Sequence, residues 1–281
     1  MSPEARSSNG RRAGRRFLRS RSAQVGLGLV ALFVGLAFGA ERIAPYAPND
    51  THRQFARPST AHWLGTDTNR HDVLSRVIYG TRLSLLAGTI SIALAVAVGV
   101  PTGALAGYWG GRVDALLMRT IDVALAFPSI LLALLIATAV ARGWGAVIVS
   151  VGLINVPTFA RQVRATVLSL RTLEYVQASR ALGGSNFHIL FRVVFPGIVS
   201  PVVVLATLGL GSAILEVAGL SFLGVGGDPT EPEWGAMLAQ AKDFLGQSLW
   251  PALGPGAAIS LTILGFNLLG DGLREALDPR G

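Results

Sequence analysis

The chain has 281 residues, of which 51% are hydrophobic and only 14% are charged, against roughly 25% charged residues in an ordinary soluble domain. This composition favours a membrane protein, and the absence of cysteine excludes disulfides, thiolate metal sites and cysteine nucleophiles. The formal net charge is +8, but seven arginines fall in the first 21 residues, directly before an apolar run. The charge therefore indicates a basic tail at a membrane edge rather than a nucleic-acid site.

Six apolar segments are long enough to cross a bilayer, since about 20 apolar residues in a helix span the hydrocarbon core. The predicted crossings are 23–40, 83–107, 123–141, 145–160, 198–222 and 251–270. The first also suits a cleaved signal peptide, although its apolar run exceeds the usual hydrophobic region of about 7 to 15 residues. The chain is therefore expected to divide into a basic tail, 1–22, and an all-α membrane domain of six helices, 23–281.

The distribution of basic residues sets the expected orientation, because arginine and lysine concentrate on the cytoplasmic side of membrane helices. With six crossings, both termini lie on one side of the membrane. If that side is the cytoplasm, the inner segments hold 16 basic residues and the outer segments hold eight. We therefore predict a multi-pass protein of the cell membrane with cytoplasmic N- and C-termini.

The outer loop after the first crossing holds the best grouping of metal-ligand side chains, His62, Asp67, His71 and Asp72. Imidazole and carboxylate groups can bind a metal, but no helical His-x-x-x-His spacing supports a site here. We predict that the two aspartates order the loop by hydrogen bonds, and that the protein carries no metal or cofactor. The sequence also lacks a Gly-x-Ser-x-Gly turn and an intramembrane carboxylate pair at helical spacing, so an enzyme is not expected.

The second crossing contains Gly99, Gly103 and Gly107, a doubled Gly-x-x-x-Gly pattern. This spacing places small residues on one helix face, so that a neighbouring backbone can approach closely. We expect ordinary packing within this subunit, with a contact between subunits or a moving hinge as the alternative.

Two polar residues inside predicted crossings require an explanation, Asn155 in the fourth and Glu216 in the fifth. A charged side chain that faces lipid costs about 3 kcal/mol or more, so Glu216 should face protein or water. It is expected either to hydrogen-bond a partner or to line a solute path. Asn155 is expected to join two helices, because an amide gains by bonding across helices in lipid.

The sole lysine, Lys242, lies in the loop 224–250 after the fifth crossing. A P-loop needs Gly-x-x-x-x-Gly-Lys-Ser/Thr, since its lysine must reach the nucleotide's phosphates from a glycine turn. The chain cannot build this motif, so any work driven by ATP must be done by another subunit. The same loop is predicted to be irregular from its glycines and prolines, Gly226, Gly227, Pro229 and Pro232.

A polar and basic stretch, Glu174–Pro196, separates the fourth and fifth crossings on the predicted cytoplasmic side. Thr172 is expected to cap a short helix that ends at Gly183, which should be left-handed. Ser185 is expected to cap a second helix, which ends at Pro196. The product is a helical hairpin carried by the fifth crossing. The pattern alone also permits a hairpin that lies on the inner membrane surface, with its arginines towards lipid headgroups.

This stretch resembles the EAA loop of ATP-binding-cassette importer permeases, which is written Glu-Ala-Ala-x3-Gly-x9-Ile-x-Leu-Pro. The residues that carry the resemblance are Gln177-Ala178-Ser179, Gly183 and Val193-x-Phe195-Pro196. The spacing of the glycine and the proline is intact. Gln177 in place of glutamate and Ser179 in place of alanine are departures from the family's pattern.

The likeness extends along nearly the whole chain and narrows to the C-type permeases of dipeptide, oligopeptide and nickel importers. The matching motifs are Leu64-Gly65-Thr66-Asp67, Asp72-Val73-Leu74-Ser75-Arg76, Tyr79–Leu85, Met118-Arg119, Ala126-Phe127-Pro128, Leu220–Gly226, Trp234-Gly235, Leu269–Arg274 and Leu277–Arg280. Where the family usually has Gly-Arg-Asp, this chain has Arg70-His71-Asp72.

The resemblance implies a type I importer permease fold and a subunit that moves a peptide or a related small solute without catalysing bond chemistry. It implies a related B-type permease, two ATP-binding-cassette ATPases and an extracytoplasmic solute-binding protein as partners. Loop 161–197 then couples to the ATPase, and Glu216 and Asn155 are candidates for the solute path. The implied docking residues are Glu174, Gln177, Ala178, Ser179, Ala181, Leu182, Gly183 and Ser185.

The sequence leaves the solute open among peptides, nickel complexes, opines and glutathione, since selection in such importers falls largely to the separate binding protein. An ATP-independent channel or secondary transporter is the alternative from another class. Proteins of that class commit intramembrane charges or unwound helices to ion coupling. Here Glu216 is the sole acid well inside a predicted crossing.

Overall fold

The computed structural model describes residues 17–140, 143–228 and 230–277. Within these residues the regular structure is helical, apart from one bridge between Thr66 and Asp72. The helices are α1 Arg21–Ile43, α2 Val73–Trp109, α3 Gly111–Leu125, α4 Ser129–Val140, α5 Trp144–Leu170, α6 Glu174–Ala181, α7 Asn186–Phe222, α8 Trp234–Ala241 and α9 Trp250–Leu277. Most of the predicted basic tail, Pro229 and the end of the last sequence motif lie outside the described residues.

Five helices, α1, α2, α5, α7 and α9, are long and apolar enough to cross a membrane, and α3 with α4 counts as a sixth crossing if this pair is one span. The predicted third crossing, 123–141, is not one continuous helix, because it includes the break between α3 and α4, which are bent by 96°. Pro128 lies at the break, and proline disfavours helical backbone in the residue before it.

The other five predicted crossings lie within helices that are longer than their apolar segments. In α2 the helix begins at Val73, well before the predicted start at residue 83, because Asp72 caps it by accepting a hydrogen bond from the backbone amide of Ser75 at 2.8 Å. Its 37 residues extend about 55 Å. Since a hydrocarbon core is about 30 Å thick, one end of α2 must project beyond it.

The glycines of the second crossing pack against α5 inside this subunit, as predicted. A β-carbon on Gly103 would overlap the carbonyl oxygen of Ala160 and come within 3.0 Å of its Cα. Gly99 also lies close to α5, since its β-carbon would come within 2.7 Å of the Cβ of Phe159. Gly107 meets the next turns of α5 in the same way. The two helices therefore share the most extensive pairing in the structure.

Asp67 and Asp72 order the loop before α2, as predicted. Asp67 Oδ1 accepts hydrogen bonds from the backbone amides two and four residues further on, both at 2.8 Å. Asp72 Oδ1 lies 2.9 Å from Nδ1 of His62. Burial lowers the pKa of His71, whose Nδ1 accepts a hydrogen bond from Arg76 at 2.6 Å. Among the described residues, no group of three or more potential ligands is arranged to hold a metal ion.

The loop 224–250, predicted to be irregular, contains α8, which packs against α7 and α9. Glu233 caps α8 by accepting hydrogen bonds from the backbone amides of two helical positions, both at 2.8 Å, and burial raises the pKa of this carboxyl. Trp234 is fully buried and its Nε1 donates to the carbonyl of Val77 at 3.0 Å. A β-carbon on Gly235 would overlap the carbonyl oxygen of Ala218, so α8 is wedged directly against α7.

Candidate functional site

The stretch between α5 and α7 forms the predicted helical hairpin. Gly183 is left-handed, with φ of +82°, and joins α6 to α7. The amide of Gly184 donates to the carbonyl of Ser179 at 3.1 Å, which closes the end of α6. Ser185 caps the second helix, since its Oγ accepts a hydrogen bond from the amide of His188 at 3.3 Å. The predicted hairpin, the left-handed Gly183 and the Ser185 cap are therefore confirmed.

Thr172 does not cap α6, contrary to the prediction. Its Oγ1 donates instead to the carbonyl of Ser169 at 2.8 Å, which satisfies an unpaired carbonyl at the end of α5. Leu173 occupies the cap position without a side-chain hydrogen bond.

Pro196 does not end the second helix, and the prediction that it does is wrong. The helix continues through a π segment, Ile189–Val194, into the α-helical part of α7, and Pro196 lies in the first turn of that part. Proline is tolerated in a first turn because its fixed φ of about −65° suits helical backbone. The hairpin is therefore joined to a membrane-spanning helix without a break in the helical backbone.

The hairpin is anchored to α2 and α5 by a hydrophobic cluster that includes Val176, Ile189 and Val194, all fully buried. The sequence pattern predicts an apolar face of Phe187, Leu190, Phe191 and Val194. Leu190 and Val194 are buried as part of this cluster, whereas the rings of Phe187 and Phe191 are exposed. Phe191 lies in the π segment, where i to i+5 bonding places more residues in each turn than the 3.6 period assumes.

The predicted docking residues lie together on the hairpin's outer surface. They are Glu174, Gln177, Ala178, Ser179, Ala181, Leu182, Gly183 and Ser185, of which Ser179 is half-buried and the others are exposed. Leu182 is 89% exposed and Tyr175 is 50% exposed. Exposed apolar groups that cluster in this way mark a surface that contacts another molecule. Tyr175 is absent from the predicted docking set, although it lies about one helical turn before Ser179. Docking itself stays a prediction.

Asn155 and Glu216 meet between α5 and α7. Nδ2 of Asn155 donates to Oε2 of Glu216 at 2.7 Å and to the carbonyl of Val151 at 2.9 Å. Both side chains are half-buried. The predicted bond across two helices is therefore confirmed, and a role for this pair in a solute path stays a prediction.

The exposed hairpin thus joins two helices that are long and apolar enough to cross a membrane. Residues 99–280 match the family described as "Binding-protein-dependent transport system inner membrane component". Residues 8–60 match "N-terminal TM domain of oligopeptide transport permease C". The chain belongs to the ATP-binding-cassette importer permeases, in the branch of the peptide permease C subunits.

Similar proteins span most of the chain. A glutathione transport system permease protein, GsiD of Pectobacterium atrosepticum, is 44% identical over 269 residues, which cover 95% of this chain and 89% of that protein. A dipeptide transport system permease protein, DppC of Alkalihalophilus pseudofirmus, is 40% identical over 272 residues, which cover 96% of this chain and 90% of that protein.

The fold is that of a type I importer permease. An inward-facing structure of the MetNI methionine ABC transporter aligns with a TM-score of 0.61 at 20% identity, over 72% of this chain and 96% of that chain. The predicted family, fold class and transport role are therefore confirmed.

Proposed function

We propose that the chain is the C-type permease subunit of an importer that moves a dipeptide, an oligopeptide or glutathione across the inner membrane. Relatives that are 40% and 44% identical along nearly the full chain, named for dipeptide and glutathione transport, support these solutes. A B-type permease completes the path, a solute-binding protein delivers the solute, and two ATPase subunits hydrolyse ATP.

The exposed hairpin, continuous with α7, is the observation that carries this proposal. Closure of the two ATPases on ATP moves the hairpin, and α7 carries the movement into the membrane domain because it begins in the hairpin and ends at Phe222. Glu216 lies about 33 Å beyond the end of the π segment along this helix. The permease thus contributes two conformations that bind the solute differently, and the ATPases shift the balance between them.

The direct test is reconstitution of the four-subunit complex in liposomes with its binding protein. We expect the ATPase subunits to co-purify with this chain, and radiolabelled glutathione or Ala-Ala to raise ATP turnover and enter the lumen only with ATP. Solute movement without ATP, in a preparation that retains no ATPase, would favour a channel or secondary transporter instead.

Orientation can be tested by cysteine labelling, because the natural chain has no cysteine to give a background signal. Thr172→Cys, at an exposed position beside the hairpin, should react with a membrane-impermeant maleimide only from the cytoplasm. Asn69→Cys, in the exposed outer loop, should react only from the other side. The reverse pattern would overturn the proposed orientation of both termini and place the hairpin away from any cytoplasmic ATPase.

Glu216 is proposed to contact the passing solute. Glu216→Ala should lower the uptake rate about tenfold, the usual effect of losing a hydrogen bond to a charged group, while the complex still assembles with its ATPases. Glu216→Gln keeps the size of the side chain and can accept the bond from Asn155, but it lacks the negative charge. Normal uptake by Glu216→Gln would show that the negative charge is not needed, and normal uptake by Glu216→Ala would refute the contact with solute.

A further inference from the structure

α5 carries a polar face that does not pack against α2. Asn155, Thr158 and Gln162 recur at i, i+3 and i+7, which places them on one side of the helix. Each is at least partly exposed, whereas Ala160 and Val163 on the other side are fully buried. Polar groups in a membrane helix face protein or water rather than lipid. This face is therefore expected to contact protein or water within the assembled transporter.

At the hairpin end of the membrane domain, the polar face of α5 opens into a cavity of about 400 Å³ between α5, α7 and α9. Gln162 from α5, Ser200 from α7 and Arg274 from α9 supply its polar groups. Leu205 and Leu277 belong to an apolar wall. Sites for small molecules typically measure about 300 to 1,000 Å³ and combine apolar walls with a few polar groups that fix orientation. Both the volume of this cavity and the mixture of apolar and polar residues that line it agree with that description.

Arg274, an exposed residue near the end of α9, gives the cavity a positive charge. Among the residues that the structure describes, no carboxylate lies within ion-pair distance of its guanidinium. A guanidinium binds a carboxylate through two parallel hydrogen bonds, which gives both affinity and orientation. The cavity therefore matches a small solute that ends in a carboxylate and has polar amides and aliphatic side chains.

We propose that this cavity is an inner solute site, in which Arg274 binds the carboxylate of a peptide and Gln162 and Ser200 bond its amide groups. The inference rests on the proposed function and adds a place where the solute pauses before release. Ser200 and Glu216 are about 24 Å apart along α7, whereas an extended tripeptide spans about 11 Å. One small peptide therefore cannot contact the inner site and the Asn155–Glu216 pair at the same time, and it occupies these two sites in turn.

The experiment measures equilibrium binding of radiolabelled Ala-Ala and of radiolabelled glutathione to the purified permease–ATPase complex in nanodiscs, without binding protein and with ADP. Arg274→Gln should raise the Kd about tenfold or more. Arg119→Gln, which removes an exposed arginine of α3 outside the cavity, is the matched control and should leave Kd unchanged. Ala-Ala amide, which lacks the carboxylate, should bind weakly to the wild type and equally weakly to the Arg274→Gln variant.

Equal Kd values for the wild type and Arg274→Gln would overturn the inference, as would an equal loss in Arg119→Gln, which would indicate a general effect of surface charge. If Arg274→Gln does not assemble, Gln162→Leu is measured instead, with the same loss expected. A wild-type complex that neither binds nor imports either probe contradicts both this site and the proposed solutes. Wild-type import of a probe, together with unchanged binding by both cavity variants, contradicts the inner site alone.

Discussion

Gly103→Leu is expected to abolish folding of the permease domain. A leucine side chain cannot fit where even a β-carbon would overlap the backbone of Ala160, so α2 and α5 must separate along their whole contact. Overpacking a core costs about 1 to 3 kcal/mol when side chains can adjust. At Gly103 the opposing atoms belong to the backbone of Ala160, which cannot move aside as a side chain can, so we expect a larger cost. We expect loss of the monodisperse peak in fluorescence-detected size-exclusion chromatography, and no uptake by the variant.

Two substitutions control for the change in side chain. Gly28→Leu makes the same replacement in α1, where a β-carbon meets no atom within 4 Å, and should be tolerated. Leu105→Ile alters a 40% exposed position of α2 without adding volume, and it should also be tolerated. A Gly103→Leu protein that elutes and transports like these controls would show that close packing of α2 on α5 is dispensable.

Gly183→Arg is expected to abolish uptake and ATPase association, while membrane insertion and pairing with the B-type permease persist. The left-handed backbone at this position, with φ of +82°, costs about 1 to 2 kcal/mol for a residue with a β-carbon. Within the subunit a β-carbon there meets no atom within 4 Å, so the obstruction falls on whatever covers the hairpin. Co-purification of the ATPase and uptake in liposomes measure the two losses.

Gly224→Arg is the matched control, because Gly224 is also left-handed, with φ of +85°, and is equally open, but it lies at the other end of α7. Its complex should retain the ATPase. Ala178→Asp should act like Gly183→Arg by placing an unpaired carboxylate at the contact, and Gln177→Glu should be harmless. Normal uptake by Gly183→Arg with its ATPase bound would mean that the hairpin lies on lipid headgroups and does not couple to ATP hydrolysis.

Local patterns predict the fold well wherever neighbouring residues decide the outcome. The left-handed Gly183 and the Ser185 cap are examples, because each depends on a few adjacent residues. The bend at Pro128 escapes the sequence pattern, since averaged hydropathy is unchanged when an apolar segment turns through 96°. Pro196 is ambiguous because proline both ends helices and begins them, and the preceding π segment has no signal in a 3.6 period.

The docking face and the cavity differ in how far the sequence predicts them. The docking residues all lie within one segment of twelve residues, 174–185, so a short motif predicts their common surface. Gln162, Ser200 and Arg274 belong to three helices and meet only through tertiary packing, so no pattern along the chain groups them. Glu216 and Asn155 are recognisable one by one from their polarity, but their direct hydrogen bond depends on how α5 is rotated against α7.

The close contact between Gly235 and Ala218 gives α7 a point about which it can tilt. α8 contacts α7 at this point, near the end of α7 that is farther from the hairpin, where the two backbones lie close together. Measured along α7, the start of this helix in the hairpin lies about 50 Å from the contact. The middle of the inner cavity lies about 20 Å from it. If α7 tilts as a rod, a displacement of the hairpin reaches the cavity reduced to about two fifths and barely moves the helix at Glu216. A single displacement of the hairpin would then reshape the inner cavity while leaving the Asn155–Glu216 pair nearly in place.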